Sequence, residues 1–117
     1  MEAPRFPENQ QKVAFLGREL CFSRQTAAQQ LALPALALEL AARLASQGLE
    51  GRAGFALAHN CALLWQTLRR PGPPPSPEGM LEWFSVGQIA QLCRLCQRGW
   101  EGQGDFEAQG EDEEGWM

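Results

Sequence analysis

Residues 62–96 read ALLWQTLRRPGPPPSPEGMLEWFSVGQIAQLCRLC, and the punctuation of this stretch decides the fold. An apolar helical pattern runs into Arg69 and Arg70, where positive charge complements the C-terminal end of a helix. Pro71-Gly72-Pro73-Pro74-Pro75 then forbids continuation, because proline lacks the backbone donor that a helix interior requires. Two helix starts follow. Ser76 is a suitable N-cap, with Pro77 at the first helical position and Glu78 in the first turn, opening a short helix through Trp83 or Phe84. Ser85, with Gln88 three residues on, carries the capping-box pattern of another. Val86, Ile89, Ala90, Cys93 and Cys96 line one stripe of that helix, Leu92 and Leu95 widen it, and Gly99 and Gly102 mark its expected end.

Upstream, Phe55–Arg70 places Phe55, Ala58, Ala62, Trp65 and Leu68 at helical spacing, flanked by Leu57, Cys61 and Leu64, with Trp65 expected in the core. Gly48, Gly51 and Gly54 mark the turn before it. Residues 26–47 are rich in Ala, Leu and Gln, all good helix formers. Pro34 inside this run predicts a short first turn over Thr26–Gln30 and a main helix opening at Pro34, with Leu36, Leu40 and Leu44 as its stripe. Alanine at alternate positions argues against a strand over Leu31–Leu40.

Lys12–Ser23 reads as a β-hairpin, with Gly17-Arg18 as the two-residue turn, pairing Phe15 with Leu20 and Val13 with Phe22. Alternation puts Val13, Phe15, Leu20 and Phe22 on one face. Two strands alone are marginal in water, so this face must pack on helices or join a partner's sheet. The expected fold class is therefore mainly α, with an N-terminal β-hairpin packed on about four helices. Residues 1–11, with Pro4 and Pro7, form a flexible lead-in; residues 12–100 form a single domain; residues 101–117 form a disordered acidic tail.

A chain of 117 residues, 44% hydrophobic and 21% charged, suits one globular core. Its charge is unevenly placed. Seven acids and no base lie in residues 101–117, leaving seven acids against ten bases in the remainder. Those bases are scattered, and Lys12 is the sole lysine, so no nucleic-acid partner is expected. Glu39 and Arg43 interrupt the Leu31–Ala45 run, which also falls short of the roughly 20 apolar residues that span a bilayer, so no membrane partner is expected either. The N-terminal residues lack the basic region and apolar core of a signal peptide, which places the chain in the cytoplasm with its four cysteines as reduced thiols.

Cys93-Arg94-Leu95-Cys96 is the one spacing that suggests metal or redox chemistry, with His59 and Cys61 as further ligands. A structural zinc site wants paired ligands in turn-like settings, whereas this pair lies within a helical pattern, and His59 and Cys61 point in different directions on a helix. The cysteines read as core. His59, the sole histidine, has no nucleophile placed beside it, and no nucleophile turn or phosphate loop occurs. No catalytic, cofactor or metal residues are assigned, and the chain is expected not to be an enzyme. Trp83, Phe84 and Trp100 are the candidate partner-binding residues, because large aromatics at element ends are suited to anchoring a partner. The proline spacer reads as a rigid linker.

The order of these elements resembles the small tail assembly chaperones of long-tailed phages and prophages. It rests on the strand-turn-strand Val13-Ala14-Phe15-Leu16-Gly17-Arg18-Glu19-Leu20-Cys21-Phe22, then a Leu/Ala helix, then Ala62-Leu63-Leu64-Trp65-Gln66-Thr67-Leu68. The proline spacer and Ser76-Pro77-Glu78-Gly79-Met80-Leu81-Glu82-Trp83-Phe84 lead on into Ser85–Cys96. The resemblance covers roughly residues 12–100. It implies a non-enzymatic protein of the bacterial host cytoplasm that coats the tape measure protein, helps recruit tail tube subunits and leaves the finished tail. It leaves room for self-association, and for a longer frameshifted product. Two alternatives stand beside it: a small regulatory adaptor that engages a basic partner through the acidic tail, and a metal or redox module at Cys93 and Cys96.

Overall fold

The computed structural model describes residues 10–112, with side chains through Trp100. Strands β1 (Gln10–Phe15) and β2 (Arg18–Ser23) form the hairpin, and helices α1 (Ala27–Ser46) and α2 (Gly51–Thr67) follow. A third strand, β3 (Leu68–Arg70), precedes a 3-10 turn (Pro77–Gly79), the single-turn helix α3 (Met80–Trp83) and the long helix α4 (Val86–Asp112). The sheet is antiparallel, in the order β1-β2-β3. None of the described helices is long and apolar enough to cross a membrane.

The hairpin turns one residue earlier than the sequence reading places it. Leu16 (φ 55°) and Gly17 (φ 77°) are its central residues, so Phe15 pairs with Arg18 and Val13 with Leu20. Positive φ at both positions gives the turn whose twist matches that of the flanking strands, which offsets the cost of about 1–2 kcal/mol for a left-handed leucine. The register differs from the expected one by two residues, so facing is preserved: Val13, Phe15, Leu20 and Phe22 are all buried. Gln10 and Gln11 belong to the strand, although the sequence reading put them in the lead-in; residues 1–9 lie outside the described residues.

Helix α1 runs unbroken through Pro34, against the expectation of a break there. A full capping box starts it: Thr26 Oγ1 accepts from Gln29 N–H at 3.1 Å, and Thr26 N–H donates to Gln29 Oε1 at 2.9 Å. Pro34 and Gln30 are both solvent-exposed, so the carbonyl that loses its helical donor faces water. Burial of Leu33, Ala37, Leu40 and Leu44 against the core offsets the proline penalty of about 3 kcal/mol. The stripe is rotated from the expected one, with Leu36 only half-buried.

Helix α2 occupies the centre. Ala58, Cys61 and Ala62 are fully enclosed, and these small side chains let neighbouring elements approach its axis closely. Its inward face is also rotated. Phe55 stays 43% exposed and Trp65 is half-buried at the core's edge, where Leu57 and Leu64 point inward. The helix stops at Thr67, and Leu68–Arg70 pairs with β2 (Leu68 with Phe22, Arg70 with Cys21) instead of extending the helix. Pro71 disfavours helical geometry at Arg70, and extending the chain there gives β2 a second partner while burying Leu68.

Ser76 makes no side-chain cap, and Glu78 instead accepts from Arg43 at 2.8 Å. The Ser85–Gln88 capping box forms as expected, with bonds of 3.1 and 2.9 Å. In α4, Ile89 and Leu92 are fully buried, whereas Val86 is 58% exposed. The helix continues past Gly99 and Gly102, since a helical glycine costs only about 1 kcal/mol. Gly99 has a packing reason: a Cβ there would collide with the side-chain amide of Gln11. That buried amide donates to the Cys96 carbonyl at 2.9 Å, tying β1 to α4. For the expected disordered tail, side chains from residue 101 and residues 113–117 altogether lie outside the described residues.

Two substitutions probe this packing by chemical denaturation. Pro34→Ala should stabilise the fold by about 1–3 kcal/mol by restoring a helix donor. Gln66→Ala, which removes a buried amide bonded through both its oxygen and its nitrogen, should destabilise it by about 1–3 kcal/mol.

Candidate functional site

α3 is a single turn because Phe84 leaves it in an extended conformation (φ −138°, ψ 152°), and the capping box at Ser85 opens α4 at once. Trp83 and Phe84 therefore sit on a sharp corner. Phe84 turns inward and meets the ring of Phe15 edge-on, with centroids 5.9 Å apart. Trp83 stays 44% exposed, in edge contact with Phe84 at 6.5 Å. The corner faces the hairpin tip across the spacer, and Arg18, Leu20, Pro71, Pro73, Trp83 and Phe84 line a groove of about 560 Å³. The spacer is anchored by Trp65, whose Nε1 donates to the Pro74 carbonyl at 2.7 Å. This bond gives the half-buried Trp65 a positioning role that helical spacing does not reveal.

Trp100 is not part of that groove. It lines a second cleft of about 520 Å³ with Arg24, His59, Asn60, Cys93 and Gln97. The Arg24 guanidinium lies 4.6 Å from the centroid of the Trp100 ring, a cation-π pair. The three candidate residues thus divide: Trp83 and Phe84 share one site, and Trp100 belongs to another. Arg18, Leu20 and the spacer prolines complete the first groove but carry no local signal of that role. Nor does any pattern link Arg24 to a tryptophan 76 positions away.

His59 is half-buried and makes a tilted contact with Phe55, 6.2 Å between ring centroids. Cys61, two residues on, points into the core. All four cysteines are free, and among the described residues no three His, Cys, Asp or Glu side chains are placed to hold a metal ion. Burial pushes the Cys61, Cys93 and Cys96 thiols up to about 12, and for Cys93 the neighbouring Cys96 and Cys61 add to this while Arg94 opposes it. Cys93 directs its thiol to the Asn60 carbonyl, 3.7 Å away. Such thiols are poor nucleophiles at neutral pH, because the reactive thiolate is disfavoured.

No family model, no curated protein and no solved structure matches the chain.

The thiols set a pH dependence. In the unfolded chain they ionise near 9.0, in the folded chain near 12, so the stability they contribute is complete below pH 9 and lost as pH rises towards 12. A melting temperature that is level from pH 7 to 9 and falls steadily above it is the expected result of a thermal scan series.

Proposed function

We propose that the chain is a non-enzymatic assembly chaperone of phage or prophage tails, acting in the cytoplasm of the bacterial host. Its clients are the tape measure protein and, in handing over, the tail tube protein. The order of elements that resembles this family supports the reading, and the groove at the Trp83–Phe84 corner is the observation that carries it. A tape measure protein is a long helical chain that exposes apolar side chains until the tube encloses it. The groove suits such a client: it is open, walled by Leu20, Pro71, Pro73 and two aromatic rings, and holds a single cation, Arg18, on its wall. Apolar side chains at i and i+3 or i+4 of a client helix enter the groove, and the exposed face of Trp83 covers them. Arg18 then meets a carboxylate or the carbonyl end of that helix.

Shielding of this kind must be reversible. The groove is small and Trp83 is its one large exposed anchor, so the contact area is low, the association stays modest and polymerising tube subunits displace the chaperone. Co-expression with the tape measure protein of the same genome tests the proposal. A soluble complex that co-purifies is expected, and Trp83→Ala should weaken it by about 10- to 30-fold, the usual effect of removing a central tryptophan. Absence of a complex together with no gain in tape measure solubility would overturn it.

A further inference from the structure

The cleft of about 520 Å³ that holds Trp100 lies where the β2–α1 junction, α2 and α4 meet, and it shares no residue with the groove at the Trp83–Phe84 corner. Its volume falls within the range of small-molecule sites, roughly 300–1,000 Å³. The lining is divided by chemistry. Leu63, Leu64, Cys93, Cys96 and the Trp100 ring supply apolar surface, whereas Arg24, His59, Asn60 and Gln97 supply hydrogen-bond donors. Burial holds the Cys93 and Cys96 thiols protonated at neutral pH, so they add no negative charge. Among the described residues, no Asp or Glu side chain lines the cleft, and Arg24 is its one permanently charged group.

Arg24 is held in place to meet an anion. Its guanidinium lies over the Trp100 ring, 4.6 Å from the centroid, and an aromatic face occupies one side of the group without satisfying the N–H donors around its edge. The ion pairs among the described side chains join Arg43 to Glu39 and Glu78 and leave Arg24 out. Its backbone is bracketed on both sides: Ser23 Oγ donates to the Thr67 carbonyl at 3.5 Å, and Gln25 Nε2 donates to Gln66 Oε1 at 2.7 Å. On the other wall, the bond from Gln11 to the Cys96 carbonyl fixes the part of α4 that carries Trp100. Between these walls, His59 and Asn60 are half-buried, and neither side chain makes a hydrogen bond among the described residues. The first turn of α1, capped by Thr26 two residues after Arg24, carries no acid, so the positive end of its dipole adds to the same field.

We infer that this cleft binds a small carboxylate with an apolar body. The carboxylate pairs with Arg24 and accepts from Asn60 or the His59 imidazole, while the body lies on Leu63, Cys93 and Trp100. One guanidinium matches one carboxylate, bidentately and charge for charge; a phosphate monoester dianion needs further cations, which the described lining lacks. The apolar floor sets the second requirement, because a bare anion gains nothing from Leu63 and Leu64. This site stands apart from the proposed client groove in residues and in chemistry, so either can fail without the other.

Proton NMR of the full chain tests the inference, with 4-phenylbutyrate as the probe, 4-phenylbutyramide as its uncharged counterpart and inorganic phosphate as the bare anion. His59 is the sole histidine, so its imidazole C–H signals report on the cleft without ambiguity. The carboxylate should shift those signals and the Trp100 indole N–H saturably, leave Trp83 unmoved, and bind at least about 10-fold more tightly than the amide or phosphate. Arg24→Gln, at an exposed position, should keep the native melting temperature and weaken the carboxylate by about 10- to 100-fold while leaving the amide as it was. Equal binding of acid and amide, tighter binding of phosphate, shifts centred on Trp83, an unchanged affinity in Arg24→Gln, or the absence of saturable shifts would each overturn it. Binding that appears only after removal of residues 1–9, or only in Glu101→Gln, overturns it too, because the chain itself would then fill the cleft or neutralise Arg24.

Discussion

Gln66 binds the end of α2 to the start of α1, and the rest of the architecture follows from that junction. Its side-chain amide donates to the Gln29 carbonyl at 2.8 Å and accepts from Gln25 Nε2 at 2.7 Å, while Gln29 Nε2 donates to the Gln66 carbonyl at 2.8 Å. Gln29 also closes the capping box on Thr26, so one residue both starts α1 and clamps it to α2. The clamp supplies a partner for a carbonyl in the last turn of α2, a group that a helix end otherwise leaves unpaired. The chain can therefore leave α2 at Thr67 and run extended along β2, which completes the sheet and sends the proline spacer past the hairpin tip.

Function depends on what this closed core leaves open. Phe22, Leu64, Leu68, Met80, Ile89 and Leu92 are each at most 1% exposed, so the centre is packed to completion. The apolar surface that remains is grouped. The Trp83–Phe84 corner offers a concave site held by Phe15 and the Trp65–Pro74 bond, whereas the outer side of α1 exposes Leu31 and Leu38 on a convex surface.

How much of this was legible in the sequence varies with the range of the interaction involved. The inward hairpin face was readable because alternation survives a two-residue shift of register, but the turn was not, since nothing local favours a leucine at positive φ. The Ser85–Gln88 box was readable because a capping box is entirely local. Pro34 misled because the local rule for a helix break was outweighed by packing of Leu33, Ala37, Leu40 and Leu44, which only the tertiary structure supplies. β3 is three residues long and pairs with a strand more than 40 positions upstream, so no pattern within it announces a strand. At the candidate site, Trp83 and Phe84 stood out as aromatics at a helix break, whereas Arg18 and Leu20 join them only because the hairpin folds over the spacer.

The central claim is that the folded body, through the Trp83–Phe84 corner, holds the client. Hydrogen exchange of the full chain, free and mixed with the tape measure protein proposed as its client, addresses this directly. Protection gained on binding at the hairpin tip, at residues 71–73 and at residues 80–84, with residues 101–117 unchanged, is the predicted pattern. Protection confined to residues 101–117, with the corner exchanging as in the free chain, would contradict it.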